Sequence, residues 1–401
     1  MTSSLRDAWS EPGDSATVGW LRCWLAVGIA WLIVGMAVMP AGVSYNPGKP
    51  YQYVLGLTLW LPTIVLTVIR PQRTWEFLRR PLLPWAIALL IWGCLSLLWT
   101  HAGRRPDEAA HNISILFFLI AAQWVFSVGE QPTRRLLIFC SVIMAVIAAF
   151  DMGNYLLHPP VDPRLVGIGV MANANLAAAG MAAAMLWYWP WRVEGWRWGI
   201  VKWLVISVLI LFVLLTFTRS AWAAMFAALV VLIVSRGGRR AWIYALLICV
   251  LGAIGAAAGM HILLERGWSL RPQIFASSMA LIAQHPLRGL GEGNPFVIIA
   301  GSETLDHAHN MFAQLAIELG LPALLLCISI WFALGWRAWR HRHETIGQVV
   351  LGLWTFGTVA VQFDLPHLID SPRPGWLITW LPLALSAAYF GRGSAATTRN
   401  V

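Results

Sequence analysis

The strongest constraint on this chain is a succession of apolar runs, each near the length of a bilayer and separated by short polar or basic stretches. A helix that crosses a bilayer takes about 20 largely apolar residues, within a range of about 17 to 25. Such runs lie near residues 19–40, 53–69, 82–99, 111–128, 136–157 and 166–190. Others lie near 199–217, 220–236, 241–260, 311–336, 346–363 and 375–391, which predicts about twelve transmembrane helices. Composition agrees. Apolar residues make up 59% of the 401 and charged residues 11%, whereas a soluble domain carries about 25% charged residues. The 25 Trp fit as well, since indoles collect at membrane–water interfaces. The expected fold is all-α and polytopic. Residues 1–260 would hold nine helices, 261–310 one large external loop with short amphipathic helices, and 311–401 three more helices and the C-terminus.

Lys and Arg set the orientation. Asp7, Glu11 and Asp14 precede the first run, unlike the basic start of a cleavable signal peptide, so this span is expected to remain as an anchor. The run Val201–Ser235 is too long for one span, and dividing it at Arg219 keeps that charge out of hydrocarbon. With a cytoplasmic N-terminus, 19 of the 28 Lys and Arg fall inside and 9 outside, alternating loop by loop. The positive-inside rule then places both termini in the cytoplasm. The net charge of +10 is spread in small groups between apolar runs, not in the patches of a nucleic-acid binder. No nucleic-acid partner is expected. Five unpaired cysteines inside apolar segments read as small buried hydrophobes.

Topology requires short basic loops inside, but it does not require what gathers outside. Eight of the ten His lie there, together with the only long connection. Chemistry is therefore expected at the outer face. Arg219 and Arg271 are permanent cations at the membrane boundary, and an arginine fork suits phosphate oxygens. An interfacial Arg more often only reaches toward lipid headgroups, which is the reading kept for Arg104, Arg105 and Arg373. Arg266 has Glu265 beside it and leans structural. His309 stands at the start of a helix, where the dipole disfavours imidazolium, so a neutral ring could act as a general base. Asp306 or Asn310 could orient it or cap the helix. A metal held by His307 and His309 with Asp306, Glu303 or His285 is a weaker reading, because no third ligand has diagnostic spacing. From Pro272 to Ile282 apolar residues recur at helical spacing, suggesting a short amphipathic helix lying on the membrane. The first external loop, 41–52, has no acidic residue, unlike metal-dependent membrane glycosyltransferases that carry acidic motifs there. No phosphate-binding Gly-x-x-x-x-Gly-Lys-Ser/Thr sequence occurs.

These residues also carry a resemblance. His309-Asn310, nine residues and then Gly320 resembles the histidine motif of bacterial O-antigen ligases, within the superfamily of O-antigen polymerases and protein O-oligosaccharyltransferases. Ala323 stands where that motif usually ends in Gly, Thr or Tyr. Thr218-Arg219-Ser220 resembles the family's short arginine signature at a helix start. Arg271-x-x-Ile274-Phe275 resembles the arginine that opens its large periplasmic loop. The stretch from Arg164 to Asn173 and Asn175 is similar to an Arg…Gly…Asn-Pro-Asn segment, with Ala174 in place of the proline.

The resemblance implies transfer of O-antigen polysaccharide from undecaprenyl diphosphate onto lipid A–core oligosaccharide, at the periplasmic face of the bacterial inner membrane. It implies an inverting glycosyltransferase without cofactor or metal. His309 would be the base, Arg219 and Arg271 would bind the diphosphate, and Arg164, Arg266, Asp306, His307 and Asn310 would support them. Its partners would be the lipid-linked donor, the lipid A–core acceptor and membrane lipids. Two alternatives stay open. One is a polymerase or protein-glycosylating branch of the superfamily, with a different acceptor. The other is a lipid-linked oligosaccharide flippase, which would need polar residues through the mid-membrane, whereas these runs are nearly free of charge.

Overall fold

Apolar runs fold as helices because hydrocarbon offers their backbone N–H and C=O groups no partner but each other. The computed structural model of the protein describes residues 6–11, 13–41, 46–258 and 270–390. Its first helices are α1 (Ala16–Val38), α2 (Lys49–Ile69, with a π turn at Gly56–Trp60), α3 (Pro71–Leu78) and α4 (Leu83–Ser96). Next come α5 (Arg105–Phe126), α6 (Glu130–Leu157), α7 (Ala174–Tyr188), α8 (Trp196–Leu215) and α9 (Arg219–Ser235). α10 (Gly238–Ala258) and α11 (Arg271–Gln284) precede an antiparallel hairpin of β1 (Ile298–Ala300) and β2 (Glu303–Leu305). α12 (Met311–Arg340), α13 (Thr345–Ala360), α14 (Gly375–Ile378) and α15 (Trp380–Tyr389) follow.

The protein is a multi-pass helical membrane protein, but the described residues do not form twelve long spans. Six helices are long and apolar enough to cross a membrane: α1, α2, α5, α6, α8 and α12. The pair α3–α4, bent by 92°, makes a seventh if it counts as one span. α9, α13 and the pair α14–α15 are apolar but shorter. α7 shows why. The run 166–190 is α-helical only from Ala174, where the Asn173 side chain caps the helix by accepting the N–H groups of Asn175 and Leu176. Fifteen residues reach only ~22 Å at the α-helical rise, yet α7 is buried along nearly its whole length. Irregular backbone at membrane depth is tolerated where protein surrounds it. The segment before α7 meets that condition, with Leu165 N–H donating to Leu215 C=O and Gly167 N–H to Met171 C=O.

α12 is broken rather than continuous. Gly320 has φ 81° and ψ 174°, and Pro322 follows it inside the helix. Pro322 has no N–H, and Leu321 N–H turns away to the Pro286 carbonyl at 2.7 Å. The carbonyls of Ile317 and Glu318 thereby lose their helical donors. The loop after α11 supplies replacements: Leu290 N–H reaches Ile317 C=O and Gly291 N–H reaches Glu318 C=O, each at 2.8 Å. The Trp92 indole donates to Leu319 C=O at 2.9 Å. A Cβ on Gly320 would stand 2.5 Å from the Leu287 carbonyl oxygen, so only glycine lets the loop dock.

Packing refines two expectations. α11 is amphipathic as expected, with Phe275 and Met279 exposed. Its buried face, Ile274, Ser278 and Ile282, packs in a small core with Ile298, Ala300, Ala313, Ala316 and Ile317. The spans are also less free of charge than their runs suggest. Arg22 is buried in α1 and pairs with Glu11 at 3.0 Å and Asp14 at 3.2 Å. Asp151 is buried in α6, and Glu318 in α12 accepts from the Gln314 amide at 2.8 Å.

Candidate active site

Four connections and one helix start meet at one end of the bundle. They are the segment before α7, the three residues between α8 and α9, the start of α11, the stretch from β2 to α12, and the loop between α13 and α14. A cavity of about 420 Å³ opens between them, walled by Asn175, Asp306, His307, His309, Asp364 and His367, with Asp370, Arg373 and Trp376 further along. Two smaller cavities, about 150 and 130 Å³, adjoin it, and both are lined by His309 and Arg271.

Asp364 joins the walls. One carboxylate oxygen accepts from the Ser220 hydroxyl at 2.7 Å and the other from the Asn175 amide at 3.0 Å. Arg271 stands 3.9 Å from the same carboxylate and donates to the Phe363 carbonyl at 2.6 Å. Asn175 in turn accepts from Arg164 at 2.7 Å. Arg164 also donates to the Thr218 hydroxyl at 3.0 Å and the Thr216 carbonyl at 3.1 Å. One network thus ties the loop before α7, the tip before α9 and the start of α11 to the end of α13. Burial pushes the Asp364 carboxyl up, against the pull of Ser220, Arg271 and Arg164. Arg219 opens α9 between Thr218 and Ser220, both of which hydrogen-bond into this network.

His309 is placed differently. Among the described residues neither ring nitrogen has a hydrogen-bond partner, and the ring packs against His307 with centroids 4.1 Å apart. Its pKa is pushed down to about 4, first by burial and then by His307 and Arg271. The imidazole is therefore neutral at pH 7, and burial is the main cause. Asp306 does not touch His309; it accepts from His307 at 2.6 Å, and that bond holds its carboxyl below the usual range. Asn310 caps α12 by accepting Ala313 N–H at 2.9 Å, while its amide donates to Gln362. Both residues support the site through the backbone or His307, and neither orients the ring directly.

The backbone is strained at the same places. Among the described non-glycine residues, five have positive φ: Leu82, Phe217, Leu270, His309 and Leu365. Four of these are His309 itself or lie within two residues of Arg219, Arg271 and Asp364. A left-handed conformation costs roughly 1–2 kcal/mol for an L-residue, and such strain tends to collect where a fold must aim particular side chains. Here it turns the chain sharply beside each group.

Of the residues singled out from sequence, Arg271, His309, His307 and Asp306 line these adjoining cavities. Asn310 lines one of them as well, and Arg164 and the start of α9, with Arg219, stand beside them. Arg266 lies outside the described residues, as do His261 and Glu265. Among the described residues, no group of three or more His, Cys, Asp or Glu is arranged to hold a metal ion. Sequence reasoning missed Asp364, Asn175 as a bridge, and His367. One signal was present: Asp364, His367, Asp370 and Arg373 crowd into one short link between apolar runs. Arg373, read as a plain interfacial cation, pairs with Asp370 at 2.8 Å and bonds Asn46.

Comparison with known proteins bears on the same stretch. A family model described as O-antigen ligase matches residues 204–328, which include Arg219, Arg271 and His309. An O-antigen ligase of Pseudomonas aeruginosa is 24% identical over 359 residues, spanning 87% of this chain and 88% of its own length.

Proposed function

With the O-antigen ligase superfamily as this chain's family, we propose that it transfers O-antigen polysaccharide from undecaprenyl diphosphate to lipid A–core at the periplasmic face of the inner membrane. The observation that carries this reading is the pairing, around adjoining cavities, of an unengaged neutral imidazole with an arginine held by a half-buried carboxylate.

A glycosyl diphosphate already carries a good leaving group. Two tasks remain: stabilising charge on the departing diphosphate and activating the acceptor hydroxyl. Arg271 and Arg219 perform the first as preorganised cations; Asp364 and Phe363 fix the Arg271 fork, so little reorganisation is needed. His309 performs the second. The acceptor oxygen attacks the anomeric carbon from the face opposite the diphosphate and its proton passes to the imidazole. The bond from anomeric carbon to phosphate oxygen breaks with its electron pair on the diphosphate, and one displacement inverts the centre. His307 and Asp306 buttress the base, and Arg164 with Asn175 holds the α9 tip where Arg219 stands.

The test is a reconstituted reaction of purified protein with polyprenyl diphosphate glycan and lipid A–core. Glycan joined to the core supports ligation. Lengthened lipid-linked glycan without core product assigns the polymerase branch, and movement of the donor across vesicles without new bonds overturns the enzyme reading.

A further inference from the structure

A larger cavity, about 670 Å³, lies at the end of the molecule opposite His309. Its lining includes Arg134, Arg192, Lys202 and Arg236, together with Trp191 and Trp203. Glu130 also lines it, but among the described residues none of these four cations forms an ion pair. The positive-inside rule accounts for cations in short loops; it does not account for their convergence on one walled space. Backbone carbonyls fix two of them. The Lys202 ammonium donates to the carbonyls of Trp189 at 2.8 Å and Trp191 at 2.6 Å, and Arg134 donates to the Arg192 carbonyl at 2.6 Å. These bonds position the charges without cancelling them. Trp191 is only 3% exposed, and its indole N–H has no hydrogen-bond partner among the described residues. The lining therefore offers excess positive charge, the complement of a phosphate oxyanion.

The cavity mouth points to the source of that phosphate. Trp203 on α8 lines the cavity and is itself exposed, and Ile200, Leu204 and Leu211 continue an exposed apolar face along the same spanning helix. We propose that this cavity binds the phosphodiester headgroup of an anionic phospholipid, with the acyl chains lying along the exposed face of α8. The site is separate from the transfer chemistry and stands or falls independently of it.

Native mass spectrometry of the purified full-length protein tests this, with phosphatidylglycerol, phosphatidylcholine and soluble glycerol phosphate as probes. Phosphatidylglycerol should be retained in preference to phosphatidylcholine. Arg236→Gln should weaken that retention by about fivefold, the scale of one basic side chain near an anionic lipid surface. Arg134→Gln should do the same, with helical content checked by circular dichroism because Arg134 also holds a turn. The double variant Arg239→Gln/Arg240→Gln, on exposed positions outside the lining, should leave retention unchanged. Equal retention of the two lipids, or equal loss in the Arg239/Arg240 variant, overturns the site. Glycerol phosphate binding as tightly as phosphatidylglycerol would overturn the lipid assignment.

Discussion

The two ends of the bundle use charge in different ways. At the end lined by Arg134, Lys202 and Arg236, cations lean on backbone carbonyls and aromatic faces, and the connecting turns are short. At the His309 end, an acid, two arginines and an asparagine are joined through Asp364, the chain takes left-handed turns, and a ring nitrogen is left without a partner. The first arrangement anchors each cation locally, through its own loop and helix end. The second holds groups in positions that topology alone never requires.

The sharpest way to break that contrast is to remove the proposed base. His309→Ala should lower transfer by about 10² to 10⁴-fold, the usual worth of general base catalysis. Arg240→Gln at the other end should leave the rate within a factor of two or so, as expected of an exposed surface substitution. Both are read in the reconstituted assay with helical content checked in parallel, and near-normal transfer in the His309 variant would dissolve the distinction.

Next in size are Arg219→Lys and Arg271→Lys. Each keeps the charge but loses the fork, and a lost charge-assisted hydrogen bond of about 1.5–3 kcal/mol corresponds to roughly 10- to 100-fold slower transfer. Lysine working as well as arginine would reduce the site to simple attraction.

A subtler probe is pH. A neutral base with its pKa near 4 keeps the rate flat through neutrality and loses it as pH falls through about 4. Arg271→Gln deletes the permanent cation that helps hold that value down, so the acid limb of its residual activity should move to higher pH. A limb that stays in place would show that Arg271 does not act on the imidazole.

The smallest effect concerns scaffolding. Gly320→Ala forces a side chain into a backbone region almost reserved for glycine and against the Leu287 carbonyl. It should destabilise the protein by about 1–3 kcal/mol, read as earlier thermal unfolding in detergent. Unchanged unfolding would mean that the loop does not depend on the break in α12.

Much of the architecture was legible in the residues. The apolar runs gave the helices, and Val201–Ser235 divides at residues 216–218, placing Arg219 at the start of α9 as its charge demands. Helix α11, expected over 272–282, covers Arg271–Gln284. Asp364 was not legible as a partner, because Ser220 lies 144 residues away and Asn175 lies 189 residues away. Nor could hydropathy show that α7 is short and wrapped by protein, since an apolar residue reads the same against lipid as against another helix.

By itself, the sequence determined that the chain must satisfy its backbone polar groups in helices, and it singled out Arg271, His307, His309 and Asp306, which line one group of adjoining cavities. Only the tertiary structure decided that Asp364 would gather Arg271, Ser220 and Asn175, and that burial beside Arg271 and His307 would keep the His309 ring neutral. The reason is physical: hydrogen bonding within a helix is local and written in each segment, whereas the pairing of charges and their desolvation depend on which distant segments pack together.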